Sequence, residues 1–380
     1  MGRIMKSRER VLRTLNHEEP DRVPLDYWTT PLAYEQLRDY LGITAPETQE
    51  WGIMSNWKIS EEMLKRLHID IRRVYMNPST KFEVKTYPDG TTDSEYGFRG
   101  KWFGPYWEVT HYPWAEFTEI EQVEEFEWPD VEDPSRIEGV AKWAKYLHEE
   151  TDHAVSAMSP GPWGVFEINE HYMRGFDKFL IDLATNKKLA EAMMDKCMEF
   201  ALDMNRVFLD EIREYIDIFQ VGDDLGHQHG QIISPKMYRD LIKPRHKKMY
   251  GEIKKKAPHV KLLYHSCGSI EPMIEDLIDV GVDILNPIQP LAKNMDSASL
   301  KEKYGDRLTF HGGIDLQRAM AEQGTIEDVR KEIDTRLSAL APGGGYILSP
   351  GHNIQPDSTP EKILEMYDYA KKKGTYPINI

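Results

Sequence analysis

The chain has 380 residues, of which 40% are hydrophobic and 29% are charged, and its formal net charge is -16 at pH 7. This composition suits a globular protein with a large core, and the negative charge argues against nucleic acid or an anionic membrane as a partner. No segment approaches the roughly 18 apolar residues that span a bilayer, and residues 1–10 lack the apolar run of a signal peptide. The two cysteines, Cys197 and Cys267, favour a reducing cytoplasm over a disulfide scaffold.

Short apolar strands alternate with amphipathic helices along most of the chain. Helices are predicted at residues 7–16, 31–41, 60–67, 172–183, 188–215, 235–256, 270–280, 300–304, 326–340 and 360–373. Strands are predicted at residues 22–28, 69–76, 153–158, 216–221, 260–264, 283–287, 308–312 and 345–349. Such alternation is typical of a parallel sheet buried on both faces, and eight units favour closure. The sequence therefore predicts an α/β fold, a (β/α)8 TIM barrel that forms one domain over residues 1–380.

Residues 77–128 follow a different pattern. Alternating stretches at 81–87 and 106–111 flank turn signals such as Asp89-Gly90. We expect a β-hairpin region inserted after the second strand, over the barrel mouth. An independent small β domain is the alternative, but no linker-like composition separates this region from the rest.

Polar side chains follow the predicted strands, where the catalytic residues of such barrels lie. His265 and Cys267 end the fifth strand two residues apart, so their side chains point the same way. Imidazole and thiolate are ligands that zinc prefers, and His352 follows the eighth strand. We therefore predict a zinc site of His265, Cys267 and His352 with an open fourth position, and His311 as the reserve ligand. A hydrogen-bonded histidine and a small residue before a tight turn are the structural alternatives for the pair.

Carboxylates follow the third and fourth strands. Asp223 and Asp224 are adjacent, so their side chains diverge, and Glu167 follows the third strand. All three are candidates for general acid–base catalysis, and a helix cap is the alternative for one aspartate and for Glu167. The substrate-binding candidates at the remaining strand ends are Tyr27, Trp28, Asn286 and His311.

Several motifs together resemble those of the uroporphyrinogen decarboxylase superfamily, which implies a (β/α)8 barrel. They lie at residues 7–15, 20–24, 222–226, 233–238, 243–245, 264–268, 312–315 and 351–356. The arginine-rich signature with which the decarboxylases bind substrate carboxylates is absent after Leu25. The His-x-Cys pair resembles instead the zinc-dependent, corrinoid-linked methyltransferases, which include coenzyme M methyltransferases and O-demethylase methyltransferases. In that branch a cysteine commonly follows a Pro-Gly pair near the C-terminus, where this chain has His352.

This resemblance implies a zinc ion and a corrinoid (cobalamin) carried by a partner protein, together with a small-molecule methyl donor or acceptor. Zinc would act as a Lewis acid on a bound sulfur or oxygen. A neutral imidazole in place of a thiolate leaves more positive charge on the metal, which favours ether cleavage. Two alternatives stay open: a metal-independent tetrapyrrole decarboxylase and a non-catalytic corrinoid- or tetrapyrrole-binding barrel. The sequence leaves open the donor, the acceptor, the direction of transfer and the oligomeric state, a homodimer included.

Overall fold

The computed structural model describes residues 5–44 and 59–380. In chain order the strands are β1 (Ile71–Val74), β2 (Thr92–Asp93), β3 (Arg99–Phe103), β4 (Tyr106–His111), β5 (Ala154–Met158), β6 (Ile218–Gly222), β7 (Gly226–His227), β8 (Gly230–Gln231), β9 (Lys261–His265), β10 (Ile284–Asn286), β11 (Thr309–Ile314) and β12 (Tyr346–Pro350). The α-helices are α1 (Ser7–Leu15), α2 (Pro31–Leu41), α3 (Glu61–Arg66), α4 (Ile120–Glu124), α5 (Val140–Glu150), α6 (Phe176–Thr185), α7 (Lys187–Ile212), α8 (Pro235–Met237), α9 (Lys243–Lys256), α10 (Ile274–Asp279), α11 (Ser297–Tyr304), α12 (Ile326–Leu340) and α13 (Pro360–Lys373). Two π-helical segments, Ile168–Met173 and Tyr238–Ile242, and two 3-10 turns, Pro134–Arg136 and Glu271–Met273, complete the helices.

The main sheet is parallel throughout, in the order β1-β5-β6-β9-β10-β11-β12. The predicted first strand lies between its two edges, but it forms isolated bridges where a continuous strand was expected. Leu25 bridges Leu348 of β12, and its carbonyl accepts a hydrogen bond of 2.9 Å from the amide of Asp70. Pro24 has no amide to donate, and the Leu25 amide donates to the Asp70 carboxylate. The predicted α/β barrel class is confirmed. The barrel closes between β1 and β12, and the Asp70 side chain makes part of that closure.

Helix α1 covers the amino-terminal end of the barrel. Val11 and Leu15 of this helix are buried in a small apolar cluster with one residue from each of several strands. The strand members of this cluster are Ile71, Ala154, Ile218, Leu263, Ile284 and Ile347. The interior of the barrel is therefore a packed core at this end, and the open space for a ligand lies at the other end.

A buried ion-pair network ties the first segments of the chain together. Asp70 has no exposed surface and accepts hydrogen bonds from Arg10 at 2.7 Å and from Arg22 at 2.8 Å. Arg10 also pairs with Asp21 at 2.6 Å. These contacts fix α1 and the segment after it against the start of β1.

Strands β2, β3 and β4 form a separate antiparallel sheet within the predicted 77–128 region. Phe103 pairs with Tyr106 across the turn between β3 and β4. The Tyr106 hydroxyl accepts a hydrogen bond from the side chain of Gln355, which lies in the loop after β12. This contact joins the turn to a loop at the carboxyl end of the barrel. The single domain with a hairpin insertion stays a prediction.

Two predicted helices are interrupted by π-helical turns. The first begins early, as the π-helix Ile168–Met173, and is separated from α6 by Gly175 at a φ of 90°. The second contains the π-helix Tyr238–Ile242, which ends two residues before Pro244, a residue that cannot donate a helical hydrogen bond. Among the helices of residues 5–44 and 59–380, none has the length and apolar character needed to cross a membrane.

Candidate active site at the barrel mouth

A cavity of about 820 Å³ opens at the carboxyl ends of the barrel strands. Aromatic side chains form much of its wall, namely Tyr27, Trp28, Tyr75, Tyr106, Trp107, Trp143, Trp163 and Tyr172. Carboxylates share this wall, namely Glu61, Glu108, Glu138, Glu167, Glu170 and Asp224. The size is that of a small-molecule site, and the lining is aromatic and acidic.

Three potential metal ligands lie together, and two of them, Asp224 and His265, line this cavity. The ligand atoms of Asp224, His265 and Cys267 are all within 4.8 Å of one another. The Cys267 Sγ lies 3.5 Å from the His265 Nε2, which lies 3.7 Å from the Asp224 Oδ1. Zinc bonds of about 2.0–2.3 Å in a tetrahedron place neighbouring ligand atoms about 3.3–3.8 Å apart. The two distances from the His265 Nε2 therefore match a tetrahedral zinc site, and the third pair of ligand atoms lies within 4.8 Å.

The ring of His265 is held with its Nε2 toward this group. Its Nδ1 donates a hydrogen bond of 2.6 Å to the Asn286 Oδ1, which leaves the Nε2 lone pair free for a metal. Trp28 stacks on the ring, with centroids 5.8 Å apart and planes 4° apart, and the edge of Trp163 contacts it at 5.7 Å. Tautomer and orientation are therefore both set before any metal binds.

A relay of buried polar groups supports His265 from behind. The Asn286 amide donates to the His311 Nδ1 at 2.7 Å, and the His311 Nε2 donates to the Asp26 Oδ2 at 2.9 Å. Arg73 pairs with the same oxygen at 2.5 Å. Burial opposes ionisation of Asp26, but Arg73 and His311 hold its pKa well below its ordinary value. Arg73 was missed from sequence, and Asp26, although recognised at the end of the first predicted strand, was given no role.

Cys267 is presented by a tight turn. Its amide donates a hydrogen bond of 2.7 Å to the Asp224 Oδ1, so the two ligands are locked together. Gly268 follows at a φ of 78°, where a Cβ would lie 2.5 Å from the amide nitrogen of His227. Burial and the nearby Asp224 raise the pKa of the Cys267 thiol well above its ordinary value. A metal must therefore displace a proton from this thiol when it binds.

The structure brings together two of the three predicted ligands, His265 and Cys267, and adds Asp224. His352 lines the same cavity, but its ring nitrogens are not part of the group within 4.8 Å. Its Nδ1 lies 3.5 Å from the Tyr106 hydroxyl, and burial and His265 lower its pKa. Both nitrogens of the reserve ligand His311 are used in the relay, which leaves it no lone pair for a metal.

Asp223 is not part of the candidate metal-binding group, defined as Asp224, His265 and Cys267, and it organises the loop after β5. Its carboxylate accepts hydrogen bonds from the amides of Val165 at 3.0 Å and Phe166 at 2.9 Å, and from that of Glu167 at 2.5 Å. The fully buried His246 pairs with it at 3.0 Å. This arrangement is the capping alternative for one aspartate of the pair. It positions the π-helix that follows.

Glu167 and Glu170 lie at this π-helix and line the cavity. Glu170 is only 7% exposed, and burial followed by Asp224 and Asp223 raises its pKa to about 8. The same causes raise the pKa of Glu167 well above its ordinary value. Glu170 therefore holds a proton at neutral pH, and Glu167 gives up its proton less readily than an ordinary glutamate. Glu170 was not a predicted site residue, although it lies one helical turn after Glu167.

The other predicted substrate-binding residues divide into two groups. Tyr27 and Trp28 line the cavity. Asn286 and His311 are buried behind the wall and serve the relay to His265.

The barrel and the polar groups at its mouth define a (β/α)8 protein with an enzyme-like active site. A family model described as uroporphyrinogen decarboxylase (URO-D) matches residues 110–373, more than half of the chain. The chain therefore belongs to the uroporphyrinogen decarboxylase family.

Similar proteins agree with this assignment. The uroporphyrinogen decarboxylase of Legionella pneumophila (strain Corby) is 20% identical over 362 residues, which is 94% of each chain. That of Psychromonas ingrahamii is 22% identical over 361 residues, or 93% of each chain. Among solved structures, a methyltransferase from Methanosarcina mazei superposes with a TM-score of 0.66 at 18% identity, over 97% of this chain and 99% of that chain. At this identity the superposition shows a shared fold.

Proposed function

We propose that this chain is a zinc-dependent methyltransferase of the uroporphyrinogen decarboxylase family. It transfers a methyl group between a small molecule, a methoxy compound or a thiol, and a corrinoid (cobalamin) carried by a partner protein. The observation that carries the proposal is the group of Asp224, His265 and Cys267, two of which, Asp224 and His265, line the cavity. A cytoplasmic location is part of the proposal, in line with two free cysteines.

The donor set suits a catalytic zinc ion. Imidazole nitrogen, thiolate sulfur and carboxylate oxygen are all zinc ligands, and three protein ligands leave a position for substrate. When bound there, zinc supplies a Lewis acid for a substrate sulfur or oxygen. His265 contributes its Nε2, which Asn286 keeps unprotonated. Trp28 and Trp163 enclose that ring and limit the access of water to it.

The charges of the cavity disfavour a substrate with many carboxylates. Both arginines of the lining are already paired, Arg72 with Glu61 at 2.7 Å and Arg73 with Asp26 at 2.5 Å. A tetrapyrrole acid would therefore enter a cavity whose wall is acidic and whose guanidinium groups are engaged. An uncharged methoxy compound or a thiol meets no such penalty.

Metal analysis tests the proposal directly. Purified protein is expected to hold about one zinc per chain, and Cys267→Ala is expected to lose it, because one of three ligands is removed. Cys197→Ala is the matched control, since Cys197 is buried in α7 with Asn169 as its neighbour and takes no part in the group. Inductively coupled plasma spectrometry on both variants and on the wild type gives the stoichiometry.

An activity assay separates this function from its alternatives. With reduced or methylated cobalamin, the zinc-loaded chain is expected to exchange methyl groups with a methoxy compound or a thiol. Carbon dioxide release from uroporphyrinogen by metal-free protein would establish the decarboxylase instead. Cobalamin binding without turnover in either direction would establish a binding protein. A native protein free of zinc would contradict the proposal at the first step.

A further inference from the structure

We propose that His246 is a positioning residue for the candidate metal site, although it lies on α9 and does not line the cavity. It acts through the Asp223 carboxylate on the loop after β5, and this loop carries Trp163 to the ring of His265. The inference rests on the zinc-dependent function proposed above and deepens it, because it assigns control of the metal site to a helix outside the barrel strands.

His246 and Asp223 form a pair that has no exposed surface. The His246 Nε2 donates a hydrogen bond of 3.0 Å to the Asp223 Oδ2, and the Tyr238 hydroxyl donates one of 3.2 Å to the His246 Nδ1. Tyr250 stacks on the imidazole, with ring centroids 4.9 Å apart. Both ring nitrogens are therefore engaged, and α9 holds the carboxylate in one orientation.

The loop after β5 and the end of β6 pack into each other at two glycines. A Cβ on Gly164 would lie 2.2 Å from the Asp223 Cγ, so the carboxylate occupies the space of a side chain there. A Cβ on Gly222 would lie 2.8 Å from the Trp163 Cε3, so the indole occupies the space beside the strand end. Because both contacts are close-packed, a shift of the carboxylate is transmitted to the indole.

Trp163 reaches the metal site by direct contact with a candidate ligand. The indole is buried, and its ring meets that of His265 with centroids 5.7 Å apart and planes 70° apart. Trp28 stacks on the same imidazole, with its plane only 4° from that of the ring. Two contacts of different orientation restrict the tilt of the imidazole, and a metal bond to its Nε2 depends on that orientation.

The main chain of Asp223 is held separately from its side chain. Its amide donates a hydrogen bond of 3.0 Å to the His265 carbonyl, and its carbonyl accepts one of 3.0 Å from the Tyr264 hydroxyl. Loss of the His246 imidazole therefore frees the carboxylate and the loop that it binds, and it leaves the end of β6 in place. The effect on the metal should then pass through Trp163.

Cobalt binding tests this path. Co²⁺ takes the same ligands as zinc, and its visible absorption reports both the affinity and the geometry of the site. His246→Phe is expected to weaken Co²⁺ binding by about 10-fold, the lower end of the effect of groups that support a metal ligand. Trp163→Ala is expected to weaken it by at least as much. The double variant should bind like Trp163→Ala, because both changes act on one path.

Two further variants serve as controls. Trp143→Ala removes a tryptophan that lines the same cavity but stacks on Tyr146, and it should keep the affinity and the absorption spectrum of the wild type. His246→Gln keeps a side-chain amide that can donate to Asp223, and it should recover most of the affinity that His246→Phe loses.

The outcomes separate this proposal from the function on which it rests. Folded His246→Phe protein with wild-type affinity, or losses of affinity that multiply in the double variant, would overturn the proposal and keep the zinc site. If His246→Phe does not fold, wild-type affinity of Trp163→Ala would overturn it, and a loss that Trp143→Ala does not share would support it. A wild type that binds neither zinc nor Co²⁺ would refute the proposed function, and this proposal with it.

Discussion

His265 takes its orientation from a relay of buried groups, of which Asn286 and His311 do not line the cavity. Asn286 bonds its Nδ1, His311 bonds Asn286, and the Asp26–Arg73 ion pair ends the relay. Because such supporting groups fix the tautomer and the basicity of a metal-binding histidine, they affect metal affinity without contact to the metal. Asn286 is thus more important for the proposed zinc site than its lack of contact with the metal suggests.

Replacement of Asn286 by alanine is expected to weaken zinc binding by about 10- to 100-fold, because the ring of His265 loses its hydrogen-bond acceptor. Competition with a chromophoric chelator measures the affinity. Asn205→Ala is the matched control, since Asn205 is also buried but bonds Ser159. A folded Asn286→Ala protein with wild-type affinity would contradict the relay.

Single residues also show where sequence reasoning stops. His265 and Cys267 could be paired from their spacing alone, because the alternation of a strand places both on one face. Asp224 and His352 depend on loop paths between different strands, which no local pattern encodes. The sequence therefore indicated which side chains reach the barrel mouth. It did not indicate that Asp224, and not His352, lies with His265 and Cys267.

Glu170 in the π-helix Ile168–Met173, and Glu167 directly before it, have raised pKa values, and this has a consequence for stability. The ordinary pKa of a glutamate is about 4.3, so between that pH and about 8 the unfolded chain has lost a proton that folded Glu170 still holds. Stability then falls as pH rises through this interval.

In metal-free protein, Glu170→Gln should flatten this decline, by at most about 1.4 kcal/mol per pH unit for the one group removed. Urea unfolding at pH 5, 6, 7 and 8 gives the free energies. Glu199→Gln, an exposed change on α7, should keep the wild-type slope. Parallel slopes for Glu170→Gln and the wild type would mean that Glu170 is ionised throughout.

Elements with a strong period were predictable, and irregular ones were not. Helix α7 and strands β9 and β12 follow from apolar patterns that recur every few residues. The first predicted strand forms only isolated bridges. Pro24 has no amide hydrogen to donate, and the Leu25 amide donates to the Asp70 carboxylate where a strand would bond to a backbone carbonyl. The π-helices leave no distinct signal, since their residues also suit an ordinary helix.

At the scale of the molecule, the barrel is closed at one end by α1 and held there by charge. Asp70 is buried between Arg10 and Arg22 and also bonds the Leu25 amide, at the seam of the sheet. Loss of its charge would deprive both guanidinium groups of an ionic partner at the point where the barrel closes, although Arg10 would keep Asp21.

Asp70→Asn is expected to lower the free energy of unfolding by about 3–5 kcal/mol, as removal of one partner of a buried ion pair does. Denaturant unfolding measures the change. Asp368→Asn provides the comparison, because its pair with Arg66 is exposed and should be worth under about 1 kcal/mol. Equal effects of the two substitutions would mean that the seam does not depend on this network.

The turn between β3 and β4 reaches the cavity from a stretch of chain far from the metal-binding group. Tyr106 and Trp107 line the cavity from this turn, whereas Asp224, His265 and Cys267 follow β6 and β9. Reactivity and selectivity are therefore encoded in separate segments of the sequence. A chimera that carries the residues of a relative at positions 99–111 would change the shape of the cavity wall and keep the candidate metal-binding group. Substrate choice could then be changed without altering the residues proposed to hold the metal.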